Sequence, residues 1–219
     1  RPRLLAHIRN NPKDMARAIE SGVDGVNVLC TADPERVAAL HISFQDYLKR
    51  LESLVGAAGK AGLEVRVSVE DIFHQDWGRI ADVYILADGL GVARLGIPDT
   101  KGTASYWQIV ERVGLVRKLV KADLEVHLHN DLGQAVGNAM AALFSGANWI
   151  DCTLCGIGER TGITPLSAML LNLFMVSEDL AGRYELGGLT EAENFVAGLC
   201  RVQVPLNLPT NRDNGFAHK

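Results

Sequence analysis

Short apolar runs alternate along the chain with longer stretches in which apolar residues recur at helical spacing. The runs at 3–8, 24–29, 63–70, 92–97, 124–129 and 148–154 are rich in Val, Ile and Leu and bounded by Gly, Asp, Asn or Pro, which predicts six β-strands. Helical periods over 12–21, 33–56, 74–86, 104–121, 132–145, 164–176 and 190–202 predict the helices around them. Gly22, Gly62 and Gly146 follow helical stretches as stop residues, and Thr164-Pro165 reads as an N-cap with Pro in the first helical position. Strand–helix alternation at this spacing requires parallel strands joined by helical crossovers.

Parity within the strands separates two parallel architectures. Residues 63, 65, 67 and 69 are Leu, Val, Val and Val, whereas 64, 66, 68 and 70 are Glu, Arg, Ser and Glu. Successive strand side chains face opposite ways, so one face is aliphatic and the other polar. Residues 124–129 repeat the pattern, with Glu125, His127 and His129 opposite Leu124, Val126 and Leu128. An open, doubly wound sheet is covered by helices on both faces and should be apolar on both. A barrel has one helix-covered face and an interior whose C-terminal mouth is polar. The expected fold is therefore α/β, a (β/α)8 TIM barrel. Six strands fall short of eight, so the barrel is expected to be incomplete, its first two strands preceding Arg1 and these six serving as strands three to eight. Residues 1–202 are then the catalytic barrel domain. The Pro- and Asn-rich stretch 203–219 reads as the start of a linker to a C-terminal subdomain.

Composition narrows the function class. The 219 residues carry 22 Lys+Arg against 26 Asp+Glu, a net charge of −4, with no basic run to attract nucleic acid or a lipid surface. No apolar stretch reaches the roughly 18 residues of a membrane span, and no signal peptide opens the chain. Cys30, Cys152, Cys155 and Cys200 are irregularly spaced and read as free thiols of a reducing, cytoplasmic compartment. Cys152 and Cys155, three apart on a strand, would face opposite sides, which argues against a redox or zinc pair.

His127-Leu128-His129 ends a strand with both imidazoles on one side, close enough to share a divalent metal such as Mg, Mn or Zn; the alternative is two histidines that hydrogen-bond substrate. Arg66, Ser68 and Glu70 line another polar face. The guanidinium and hydroxyl suit a carboxylate, and Glu70, nearest the mouth, suits a proton acceptor, unless Arg66 and Glu70 form an internal ion pair. Thr100 shares a face with Gly96, while His7 and Asn27 share the inward parity of their strands. The loop Gly156-Ile157-Gly158-Glu159-Arg160-Thr161-Gly162 lies between the last strand and a helix. That is a frequent phosphate site in barrels and favours a phosphorylated or CoA-bearing ligand.

The run His127-Leu128-His129-Asn130-Asp131-Leu132-Gly133, together with Gly156–Leu166, resembles the DRE-TIM metallolyase superfamily of homocitrate, isopropylmalate and citramalate synthases and hydroxymethylglutaryl-CoA lyase. His7-Ile8-Arg9, Gly22–Val26, Arg66-x-Ser68-x-Glu70-Asp71 and Gly-Glu-Arg-Thr-Gly-Ile-Thr are most similar to the homocitrate synthase branch. The resemblance implies a homodimeric acyltransferase that condenses acetyl-CoA with a 2-oxo acid, 2-oxoglutarate first, by Claisen-type addition and thioester hydrolysis. Isopropylmalate- or citramalate-type synthesis and a C–C lyase reaction are the alternatives. By the same resemblance, His127 and His129 are metal ligands, and His7, Arg66, Ser68 and Thr100 surround the oxo acid. Glu70 and Glu125 then lie at or behind that site, and catalysis is expected from His7, Arg66 and Glu70. Three departures stand out. The family's first-strand Arg and acidic ligand have no counterpart here, the catalytic His of a C-terminal segment is not matched by His218, and Asn27 stands where homocitrate synthases usually carry Asp. The 219 residues alone are accordingly expected to be inactive.

Overall fold

The computed structural model describes residues 1–177, 179 and 182–211. Six strands run parallel: β1 (Leu5–Arg9), β2 (Gly25–Cys30), β3 (Glu64–Val69), β4 (Arg94–Asp99), β5 (Asp123–Leu128) and β6 (Trp149–Ile150). Each is hydrogen-bonded to the next in sequence order, β1-β2-β3-β4-β5-β6. The order never reverses, as it must in a doubly wound sheet, so the winding is that of an incomplete (β/α)8 barrel.

The crossovers are α1 (Pro12–Ser21), α2 (Pro34–Ala38), α3 (Phe44–Lys60), α4 (Trp77–Gly89), α5 (Tyr106–Leu119) and α6 (Ala135–Phe144); α7 (Leu166–Val176) and α8 (Leu189–Cys200) follow β6. Local sequence explains their ends. The Asn11 side chain accepts from the Lys13 N–H ahead of Pro12, and Gly22 closes α1 in the left-handed region at φ 70°. Ser105 and Gln108 cap α5 reciprocally. The aliphatic parity is buried under these helices: Val26, Val28, Val67, Val69, Leu95, Ile97, Leu124, Val126 and Leu128 are wholly inaccessible. That layer between sheet and helices is the core, and it leaves the polar parity for the interior.

Most boundaries shift by two or three residues, and three differences from expectation have a visible cause. The helix expected over 33–56 is two, because His41 adopts a positive φ of 56° and Ser43 starts α3 by accepting from the Asp46 N–H. Helix α7 begins at Leu166 with Pro165 itself as N-cap, so Thr164 caps nothing. The cause is Thr153, which donates its N–H to the Thr164 carbonyl and accepts from the Leu166 N–H, holding 164–165 extended. The strand expected over 148–154 ends at Ile150, although the Asp151 N–H still reaches the Val126 carbonyl (2.9 Å).

Residues 203–211 form no helix or strand. They fold back so that Leu208 packs with Cys155 and Ala197 and the Thr210 hydroxyl donates to buried Glu193. Residues 212–219 of the expected linker, His218 included, lie outside the described residues. Among the described residues, no helix is long and apolar enough to cross a membrane.

Candidate active site

Strand register gathers the inward polar residues at the barrel's C-terminal end. His7, Asn27 and Arg66 are successive Cα partners across β1, β2 and β3, and Pro98 on β4 faces His127 on β5. A cavity of about 300 Å³ opens there, lined by His7, Asn27, Arg66, Ser68, Glu70, Thr100, His127, His129 and Asp151. That volume lies at the small end of small-molecule sites. A larger cavity, about 620 Å³, lies between α8 and residues 202–211 and has no titratable side chain on its walls.

Gly96 makes room for the wall formed by Arg66 and Ser68. A Cβ there would overlap the Ser68 hydroxyl and lie 3.0 Å from Nε and Nη2 of Arg66. Arg66 is held by two carboxylates: Nη1 pairs with Glu125, and Nη2 donates to Asp151 (3.2 Å). Its Nε is buried without a partner, and each terminal nitrogen retains a second N–H. The Ser68 hydroxyl donates to Asn27 Oδ1 (2.8 Å), and Asn27 Nδ2 donates to His7 Nδ1 (2.8 Å). His7 is therefore an acceptor at Nδ1 and, as a neutral ring, carries its proton on Nε2. Partial burial, then the Arg66 charge, hold its pKa below the ordinary 6.5.

On the opposite wall the His127 and His129 rings stand edge to face with centroids 5.0 Å apart. His127 Nδ1 is 2.9 Å from Asp151 Oδ2, and an Nδ1–H donated to that carboxylate leaves Nε2 for the cavity. His129 is buried, its Nδ1 has no partner, and burial followed by His127 and Arg160 lowers its pKa. Two adjacent imidazoles with uncommitted nitrogens have the donor chemistry that suits a borderline divalent ion. No cluster of three or more His, Cys, Asp or Glu fit to hold a metal occurs among the described residues.

Not every expected residue meets the cavity in the expected way. Glu125 does not line it. This carboxylate sits below Arg66, bonded to Arg66 and to Arg94 (3.0 Å), in a second cavity with Glu64, Asp123 and Trp149. Burial and neighbouring Asp151 push its pKa up to about 8 against the pull of both arginines. Glu70 lines the cavity but pairs with Arg36 on α2, not with Arg66. The Thr100 hydroxyl accepts from the Asp71 N–H (2.8 Å). In the glycine-rich loop, the Ile163 N–H bonds the Gly156 carbonyl (3.2 Å) and a Cβ on Gly162 would overlap that oxygen, so the glycines serve the loop's own closure. Arg160 spans from this loop to Asp131 through two bonds (2.7 and 2.8 Å) and to the Thr100 carbonyl (2.8 Å), tying together the loops after β4, β5 and β6. Cys152 and Cys155 are free thiols.

Asp151 is the residue that sequence reasoning passed over. The signal was present: Trp149, Asp151 and Thr153 share a parity, and continuing the β5–β6 register from Val126–Ile150 sets Asp151 beside His127. Its pKa is held below the usual carboxylate range by His127 and Arg66, which overcome the opposing effect of burial.

The HMGL-like family matches residues 1–196. Mitochondrial homocitrate synthase of Schizosaccharomyces pombe is 37% identical over 219 residues, covering 99% of this chain and 52% of that protein. The cytosolic isozyme of homocitrate synthase from Saccharomyces cerevisiae is 36% identical, covering 99% and 51%. The chain thus spans about half the length of the curated relatives it matches. Among solved structures, hydroxymethylglutaryl-CoA lyase from Pseudomonas aeruginosa superposes with a TM-score of 0.78 at 22% identity, covering 93% of this chain and 72% of that one.

Proposed function

The chain belongs to the HMGL-like family, and from that premise we propose that the protein is a metal-dependent acyltransferase condensing acetyl-CoA with 2-oxoglutarate to give homocitrate. One observation carries the reading: a carboxylate-gripping wall of Arg66 and Ser68 faces the imidazole pair His127/His129 across one cavity sized for a small dicarboxylate. Homology to homocitrate synthases over the whole chain supports the choice of oxo acid.

In this reading Arg66 receives the distal carboxylate through the N–H groups that Glu125 and Asp151 leave free, assisted by the Thr100 hydroxyl, whose proton is uncommitted, while Ser68 gives its own proton to Asn27. His7, with Nε2–H toward the cavity, donates to a substrate oxygen, and Asn27 keeps it in that tautomer. Glu70 at the rim is the carboxylate available to hold a proton, its charge balanced by Arg36. Glu125 acts from beneath, as an anchor for Arg66. His127 and His129 would hold a divalent ion (Mg, Mn or Zn), which when bound polarises a keto carbonyl as a Lewis acid. The apolar walls behind these strands keep the site rigid, and the Arg160 tie sets the spacing of its loops.

The remaining assignments belong to the same proposal: a homodimer, a barrel unit over 1–202 with a linker beginning at 203, and a cytoplasmic location. The test is thiol release by the intact protein with acetyl-CoA and a panel of 2-oxo acids. We expect 2-oxoglutarate to be preferred and His129→Ala to abolish turnover with the fold intact. Equal rates after exhaustive chelation, or preference for a branched or three-carbon oxo acid, would overturn the metal or the substrate assignment respectively.

A further inference from the structure

Asp151 belongs to neither wall of the cavity and touches both. Its Oδ2 is 2.9 Å from His127 Nδ1 and 3.2 Å from Arg66 Nη2, so a single oxygen receives a donor from the imidazole wall and a donor from the anion wall. Its own backbone is fixed, since the Asp151 N–H continues the β5–β6 ladder to the Val126 carbonyl at 2.9 Å. Arg66 is also paired through Nη1 with Glu125 beneath it, and its Nε is buried without a partner.

We infer that Asp151 is a positioning residue that sets His127 as its Nδ1–H tautomer, with Nε2 toward the cavity, and locks that ring to the carboxylate-binding guanidinium. The inference rests on the proposed function, in which His127 faces a metal ion and Arg66 an oxo acid. The chemistry is that of an outer carboxylate orienting an imidazole ligand: the donated Nδ1–H fixes both ring rotation and the nitrogen that carries the lone pair. The shared oxygen adds something a simple imidazole–carboxylate pair lacks. Loss of the carboxylate frees the ring and the guanidinium together, so metal affinity and oxo-acid affinity should fall in concert.

The test uses the intact protein, metal-free, with ¹⁵N-labelled histidine, the His127 ring being assigned by its loss in His127→Gln. Long-range ¹H–¹⁵N spectra should show Nδ1–H in the wild type and a mixed or Nε2–H ring in Asp151→Ala. Asp151→Asn, nearly the same size, should keep the Nδ1–H tautomer through its amide oxygen but lose the charge that faces Arg66. Titration with Mn²⁺ alone should show affinity lowered about 10–100-fold in Asp151→Ala and much less in Asp151→Asn. KM for 2-oxoglutarate should stay raised in both. An unchanged His127 tautomer in folded Asp151→Ala overturns the inference, whatever the fate of activity, as does Asp151→Asn with wild-type KM. A wild-type protein that shows the Nδ1–H tautomer but binds no Mn²⁺ defeats the functional reading and leaves the orienting contact standing.

Discussion

At the scale of single residues, the site is a set of side chains whose protonation is decided by what touches them. His7 and His129 both titrate below 6.5 because burial and nearby cationic or imidazole groups disfavour the charged ring. The unfolded chain therefore takes up protons near pH 6.5 that these folded rings refuse, so their contribution to stability rises with pH through that window and is lost as pH falls toward the folded values, against the opposite contribution of Glu125. Urea unfolding of both proteins between pH 5 and 7.5 isolates the ring: the slope of stability against pH should be shifted downward in His129→Asn relative to wild type, and an equal slope in that variant would remove His129 from the account. Gly96 offers a second check. Ala at this position drives a Cβ into Ser68 and against Arg66, so Gly96→Ala should raise KM for the oxo acid well before it unfolds the barrel, as read from initial rates beside a thermal melt. Much of this site was legible in advance, because strand parity alone places Arg66, Ser68, His127 and His129 on one face. Parity is silent about depth, however. Glu125 has the right parity but lies below the guanidinium, and the place of Asp151 beside His127 depends on the β5–β6 register, which parity does not supply.

Elements place these residues through their ends rather than their middles. The position of the loop after β6, between a strand and a helix, favours a phosphorylated or CoA-bearing ligand, but what its glycines approach is a tertiary fact. Gly162 has φ 86° and no space for a side chain against the Gly156 carbonyl, while the neighbouring Asn130 N–H reaches the Gly162 carbonyl at 3.0 Å. Gly162→Ala should cost at least about 3 kcal/mol from backbone strain plus collision, measured as a fall in the urea midpoint at unchanged m-value. Arg160→Gln should be milder, because its pairs with Asp131 are partly solvent-exposed and worth about 1 kcal/mol or less. Its signature should instead be kinetic: faster hydrogen exchange across 156–163 and around Thr100 with little change in melting temperature. Wild-type exchange there would show that the three loops are held without it. The helix boundaries tell the same story from the other side. Caps at Asn11, Ser43 and Ser105 are made within three residues, and the break at His41 is local too, its N–H bonding the Ala38 carbonyl, whereas the extended Thr164-Pro165 follows from the bonds Thr153 makes across the loop.

Across the whole molecule, the interior carries a line of alternating charge from one end of the barrel toward the other. Arg3 pairs with Glu64, Glu64 with Arg94 (2.6 Å), Arg94 with Glu125 (3.0 Å), Glu125 with Arg66, and Arg66 with Asp151 and so with His127. The sequence order of the sheet could be anticipated from the strand–helix alternation, and the polar interior from parity. The pairing along the axis could not, because it depends on the stagger between strands and on side chains long enough to bridge it. Such a line stabilises only while each buried charge keeps a partner. Arg94 is the link whose loss tests this, since it serves Glu64 and Glu125 at once and also stacks over Trp149 with its guanidinium carbon 4.6 Å from the ring centre. Glu125 holds a proton in the folded state up to about pH 8, against 4.5 as the ordinary value, so this carboxyl contributes less to stability as pH rises between those limits. Arg94→Met removes one of the two cations that oppose burial and should push that upper limit higher. The variant should therefore lose roughly 3 kcal/mol at pH 10, above the wild-type limit, where the fold must either ionise a Glu125 short of a partner or hold its proton at a cost, and distinctly less at pH 5, where the carboxyl is neutral in the fold. Unfolding curves of wild type and variant at the two pH values decide it: an equal loss at both would mean that Arg94 acts through its packing on Trp149 and not through the charge it presents to Glu125.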